Sequence, residues 1–133
     1  MKAVKARIAK VLRVGSYINC ADNTGAKILQ IISVMGYKGV RKRQPVCGVA
    51  DLIKVTIKQG DIKIRKQVAN AIIIRQKGEY RRKEGIRVKF EDNAAVVVKD
   101  DKGNPKGTIF KGAIAKEACE RWPGVAKIAS IVV

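Results

Sequence analysis

The chain has 133 residues, of which 47% are hydrophobic; that is enough for one compact domain with a single core, and it excludes a disordered basic tail. Twenty-nine Lys and Arg against 11 Asp and Glu leave a net charge of +18, well beyond the roughly 2 to 8 charges that solubility asks of a small domain. Such an excess repels itself in the folded state and is relieved by an anionic partner. No apolar run approaches the roughly 18 residues of a membrane span, and no apolar leader segment is visible at the N-terminus, so nucleic acid is the expected partner and a membrane is not.

Strand signals dominate up to about residue 110. Residues 16–21 and Ala26–Val34 flank Asp22-Asn23-Thr24-Gly25, where Asn and Gly suit the positive-φ positions of a turn, so the two runs are expected to pair antiparallel. Residues 36–45, Gly-Tyr-Lys-Gly-Val-Arg-Lys-Arg-Gln-Pro, read as a long basic loop bounded by Gly and Pro. From residue 52 to 58 Ile53, Val55 and Ile57 alternate with Lys54, Thr56 and Lys58, which predicts a strand with one apolar and one basic face. Residues 71–74 and Ala94–Val98 are almost continuously apolar, as in strands buried on both sides or closing a barrel. Between them, Lys77, Arg81, Arg82 and Lys83 surround Gly78 and Tyr80 in a connection, and Ile86, Val88 and Phe90 alternate with Arg87 and Lys89. Short strands punctuated by turn residues predict an all-β barrel or sandwich over about residues 1–110.

The last segment, about residues 111–133, changes period. Ile114, Ala115, Ala118, Cys119 and Trp122 recur at helical spacing, with Lys116, Glu117, Glu120 and Arg121 on the opposite face. The expected helix covers residues 113–122, Pro123-Gly124 ends it, and a short helix or turn over 125–130 precedes the apolar end. Lys116 with Glu120, and Glu117 with Arg121, have the spacing for pairing along one helix face. Residues 1–133 are thus read as one domain with a barrel part and a helical part.

For function, Arg can fork across two phosphate oxygens, and Tyr37 or Tyr80 can stack on an unpaired base. The expected RNA-binding residues are Lys27, Lys38, Arg41, Lys42, Arg43, Lys54, Lys77, Arg81, Arg82 and Lys83. This pattern suits a phosphate backbone and specifies base sequence poorly. With no His in the chain, the commonest general base is absent, and no nucleotide-binding, hydrolase or zinc-protease motif is found. A metal-dependent nuclease would have to use Asp22, Asp51, Asp61 and Asp92, but Asp22, Asp61 and Asp92 lie beside Gly or Asn in apparent turns. Cys20, Cys47 and Cys119 form no metal-ligand spacing and are expected to be free thiols in a reducing cytoplasm. No metal and no cofactor is expected. A free-standing single-strand-binding barrel is the competing reading, although such modules display more aromatic residues on their strands.

Residues 20–27, Cys-Ala-Asp-Asn-Thr-Gly-Ala-Lys, resemble the N-terminal signature of the L-fourteen family of large-subunit ribosomal proteins. Arg82-Lys83-Glu84-Gly85, residues 90–96, Lys106-Gly107-Thr108 and Ala115-Lys116-Glu117 agree in order and spacing, and Arg121-Trp122-Pro123 is similar to the archaeal branch. The resemblance covers nearly the whole chain. It implies a closed five-stranded barrel with projecting basic loops and short C-terminal helices, in a non-enzymatic protein of the cytoplasmic ribosome. The implied partners are large-subunit ribosomal RNA near the subunit interface, neighbouring large-subunit proteins, small-subunit ribosomal RNA at bridges, and the anti-association initiation factor six. The charge-balanced helix residues Lys116, Glu117, Glu120 and Arg121 are the expected protein contacts. Three departures stand out: Ala50-Asp51 where the family usually has Gly-Asp, Glu84 for Asp, and Ala113 for a Pro that would mark the start of the helix.

Overall fold

In the computed structural model, which describes residues 1–133, the alternating segments become strands in the expected order. The chain runs through β1 (Leu12–Arg13), β2 (Tyr17–Cys20), β3 (Ala26–Val34), β4 (Val46–Cys47), β5 (Leu52–Gly60), β6 (Val68–Arg75), β7 (Tyr80–Arg81), β8 (Arg87–Val88), β9 (Ala94–Val98), β10 (Ala113–Ile114), α1 (Lys116–Arg121), α2 (Pro123–Ile128) and β11 (Ile131–Val132). Strands β2, β3, β5, β6 and β9 form a closed barrel. Its neighbours are antiparallel except at the closure, where β2 and β9 run parallel with Asn19 opposite Ala94. Closure removes the exposed edges that would otherwise invite pairing with other chains.

The two nearly continuous apolar strands are buried on both faces. Ala71 and Ile73 of β6, with Ala95 and Val97 of β9, join Leu29, Val55 and others in the core cluster built around the barrel strands. Ile72 and Ile74, with Ala94, Val96 and Val98, join a second cluster with Ala115, Ala118 and Trp122 of the C-terminal segment. The outer face of β5 is open, so Lys54 and Lys58 are exposed while Ile53, Val55 and Ile57 are buried. A buried Val or Ile contributes roughly 1.5–3 kcal/mol, and it is through Ile72, Ile74, Val96 and Val98 of the second cluster that the helical segment is held to the barrel wall.

Three details differ from expectation. Residues 86–90 do not add a barrel strand: Arg87–Val88 pairs only with Tyr80–Arg81, as a small hairpin outside the barrel, and Ile86 is 58% exposed. Period-2 alternation identifies a strand but not the sheet that receives it. The first helix begins at Lys116, because Ala113–Ile114 pairs in parallel with Ile131–Val132. Pro123 ends α1 and also opens α2, which spans Pro123–Ile128 and not 125–130; a Pro is well placed in a first helical turn, where its missing N–H is not needed. Trp122, between the two helices, is buried and donates from Nε1 to the Ala50 carbonyl at 2.8 Å.

Candidate nucleic-acid interface

The turn at 22–25 is built by its own side chains. Asp22 accepts hydrogen bonds from the Thr24 N–H (3.1 Å), the Thr24 hydroxyl (2.6 Å) and, from the adjacent strand β9, the Val97 N–H (2.8 Å). Gly25 takes φ +93°, and a Cβ there would meet the Asp61 carboxylate; Asn23 keeps a negative φ. The Asn23 side chain instead clasps Thr108, accepting from its N–H at 2.9 Å and donating to its hydroxyl at 2.8 Å. Two of the segments that carried the resemblance therefore touch each other, and Lys27 projects into solvent just beyond them.

Nine of the expected RNA-binding residues are exposed and outside every ion pair: Lys27, Lys38, Arg41, Lys42, Arg43, Lys54, Lys77, Arg81 and Lys83. They do not converge on one point. Lys38 to Arg43 occupy the loop between β3 and β4, where Val40 and Arg43 close a backbone turn at 3.0 Å. Lys54 joins Lys99 and Lys106 along an open groove of about 470 Å³. Arg81 and Lys83 lie at the β7–β8 hairpin.

The tenth, Arg82, is placed differently: it is engaged in an ion pair and largely buried. Its side chain is only 13% exposed; Nε donates to Glu117 Oε1 at 2.7 Å and Nη2 to the Val133 carbonyl at 2.6 Å. Glu117, expected on the outer face of the helix, is 2% exposed, because the hairpin packs over it and brings Tyr80 Oη to within 2.8 Å of Oε2. Tyr80 is therefore buried and is not a base-stacking residue, whereas Tyr37 stays half-exposed in its loop. Burial alone would raise the Glu117 carboxyl, but hydrogen bonds from Arg82 and Tyr80 outweigh it and hold the pKa below its ordinary value. Burial, reinforced by Glu117, pushes the Tyr80 hydroxyl up, so it remains a donor. Neither expected pair along α1 forms: Lys116 reaches Glu84 at 3.9 Å and Arg121 reaches Asp51 at 3.3 Å. Of the four expected protein contacts, Glu120 is exposed, Lys116 and Arg121 are partly so, and Glu117 is inaccessible.

Sequence reasoning missed Lys5 and Arg7, exposed cations of an N-terminal arm that packs beside the hairpin. A signal was present: Val4, Ala6 and Ile8 alternate with Lys5 and Arg7, the period of an extended segment with one face on the protein. Lys99 and Lys106 were also missed, since isolated lysines in turns carry no pattern.

The carboxylates considered for a nuclease are dispersed. Asp22 holds its turn, Asp51 is shared by Lys10, Arg121 and the Gly48 N–H, and Asp92 pairs with Arg75 at 2.9 Å. No three His, Cys, Asp or Glu side chains come together as a metal site.

Fold and surface together define a small polycationic β-barrel that carries its charge on projecting loops. The family described as "Ribosomal protein L14p/L23e" matches residues 11–133. Over all 133 residues of both chains, the sequence is 50% identical to "Large ribosomal subunit protein uL14" of Nanoarchaeum equitans and to that of Methanothrix thermoacetophila. It is 52% identical over 132 residues, 99% of each chain, to the protein of that name from Methanococcus vannielii. The chain belongs to the ribosomal protein L14p/L23e family. It is a structural constituent of the large ribosomal subunit in the cytoplasm, and not an enzyme.

Proposed function

We propose that the protein binds large-subunit ribosomal RNA near the subunit interface, with the barrel fixing the geometry and the loop cations holding phosphates. The observation that carries this reading is the set of nine exposed cations with no acidic partner, from Lys27 to Lys83. Unpaired surface charge of this density is relieved by polyanion contact. The loop at 36–45, exposed along most of its length and outside every strand, is the segment assigned to bridges with small-subunit ribosomal RNA. Neighbouring large-subunit proteins, and the anti-association initiation factor six, are assigned to the outer side of α1, where Lys116 and Glu120 remain accessible.

The test is the Arg41→Ala, Lys42→Ala, Arg43→Ala triple variant. Its thermal stability should stay near wild type, since exposed charges away from packing alter stability little, while its affinity for transcribed large-subunit ribosomal RNA falls. Equal loss of folding and binding would make the run structural.

A further inference from the structure

We propose that the N-terminal arm and the β7–β8 hairpin together form a phosphate-binding cleft for the backbone of folded RNA, centred on Arg7 and Arg81 with Lys5 and Lys83 on its walls. The proposal rests on the RNA-binding reading above and adds to it Lys5 and Arg7, which precede the matched residues 11–133, set against Arg81 and Lys83, which lie within them.

The arm is held in place at both ends. The Lys2 N–H donates to the Arg121 carbonyl at 3.3 Å, the Ala9 carbonyl accepts from Gln76 Nε2 at 3.1 Å, and Lys10 pairs with Asp51 at 2.6 Å. Val4 and Ile8 pack against the outer core cluster. Lys5, Ala6 and Arg7 between these anchors are therefore positioned by the fold.

What the fold does with them is costly unless an anion is bound. Arg7 is paired antiparallel with Arg81, and Arg81 is in turn opposite Arg87. Directly opposite residues have Cβ atoms roughly 4.5–5.5 Å apart, and like charges so placed destabilise the pairing. Arg87 is neutralised by Glu79 at 2.9 Å, but Arg7, Arg81, Lys5 and Lys83 belong to no ion pair. Of the nearby acids, Glu117 is held by Arg82 and Tyr80 and Glu84 lies 3.9 Å from Lys116, whereas Glu120 belongs to no ion pair and lines the adjoining pocket with Lys5 and Lys83, on the side away from Arg7 and Arg81. Between arm and hairpin lies a cleft of about 320 Å³ lined by Lys5, Ala6, Arg7, Arg81, Arg82 and Lys83.

The lining selects the ligand. An Arg fork matches two phosphate oxygens, and two opposed forks can hold successive phosphates. Protein partners are held by buried aromatic or aliphatic anchors, whereas Ala6 is the one apolar residue here. Nucleic-acid interfaces are polar and strongly positive.

The experiment compares full-length wild type, Lys5→Ala/Arg7→Ala, and Lys102→Ala/Lys127→Ala for binding to transcribed large-subunit ribosomal RNA across a salt series. Lys102 and Lys127 are exposed and line neither wall, so the third protein carries the same charge loss elsewhere. The cleft variant should bind about tenfold more weakly, with its log–log salt slope reduced by about 1.4–1.8 for two lost phosphate contacts. Its melting temperature should equal or slightly exceed that of wild type, because Arg7→Ala removes a like-charge contact, and the control should keep the wild-type slope. Unchanged binding by the cleft variant, or an equal fall in the control, overturns the cleft. So does loss of ribosomal-protein association with RNA affinity intact, which would make the cleft a site for an acidic protein. If wild type itself shows no affinity, the RNA-binding reading fails and the cleft with it.

Discussion

Arg82 and Glu117, 35 positions apart in sequence, meet in a two-pronged ion pair: Nε to Oε1 at 2.7 Å and Nη2 to Oε2 at 3.3 Å. The pair ties the β7–β8 hairpin to α1, and the Arg82 bond to the Val133 carbonyl draws in the end of the chain. Tyr80, from the same hairpin, gives the carboxylate its third hydrogen bond. The hairpin that carries Arg81 and Lys83 is thereby fixed relative to the barrel, so a residue that resembles a surface acid acts on function through position.

Glu117→Ala leaves Arg82 partly buried without its counter-charge and Tyr80 without an acceptor. Removing one partner of a buried pair costs roughly 3–5 kcal/mol, and with Arg82 in partial contact with solvent we expect about 2–4. Chemical denaturation of wild type and variant measures this. A difference below about 0.5 kcal/mol would place the pair among the exposed ones, which contribute little.

Acid should weaken the fold through the same carboxylate. Folding lowers the Glu117 pKa from an ordinary value of 4.5 and that of Asp92, hydrogen-bonded to Arg75, from 3.8. A group with a depressed folded pKa contributes stability that is complete above its unfolded value and is lost as pH falls through the folded one. Stability should therefore hold at neutral pH and decline below about pH 4.5. Glu117→Gln should start lower at pH 7 and lose less on acidification. Parallel acid limbs for the two proteins would assign the decline to other carboxylates.

Ala50 holds a backbone conformation that suits glycine, with φ +71° and no exposed surface. This fits the Gly that the sequence resemblance implies at this place. A left-handed L-residue costs roughly 1–2 kcal/mol, but Ala50→Gly also removes a buried methyl worth about 0.8 kcal/mol and adds unfolded-state freedom worth roughly 0.5–1. The terms nearly cancel, so Ala50→Gly should shift stability by less than about 1 kcal/mol. Ala71→Gly, equally buried in β6 with no strain to relieve, should lose about 1–2 kcal/mol. Equal losses at both positions would show that Ala50 is unstrained.

The barrel was legible because its strands carry their burial in their own residues. Val55 and Lys54 declare two faces, and the apolar run in Ala94–Val98 declares a strand with none exposed. The loop charges from Lys38 to Arg43 were legible for the same reason, since exposure needs no partner. Glu117 was not, because its burial depends on Tyr80 and Arg82 folding back over it from a distant segment. Residues 86–90 alternate as a barrel strand would, and only the closure between β2 and β9 decides that they lie outside. Arg7 escaped notice because its meaning lies in the residue opposite it, Arg81.

In the proposed function, loop and strand cations hold large-subunit ribosomal RNA by its phosphates. The most direct measurement is the affinity of the isolated full-length protein for that RNA as monovalent salt rises from about 50 to 200 mM. Several phosphate contacts release their counterions on binding, so affinity should fall at least about tenfold across this range, linearly on logarithmic axes. A nearly flat titration would contradict phosphate-led binding.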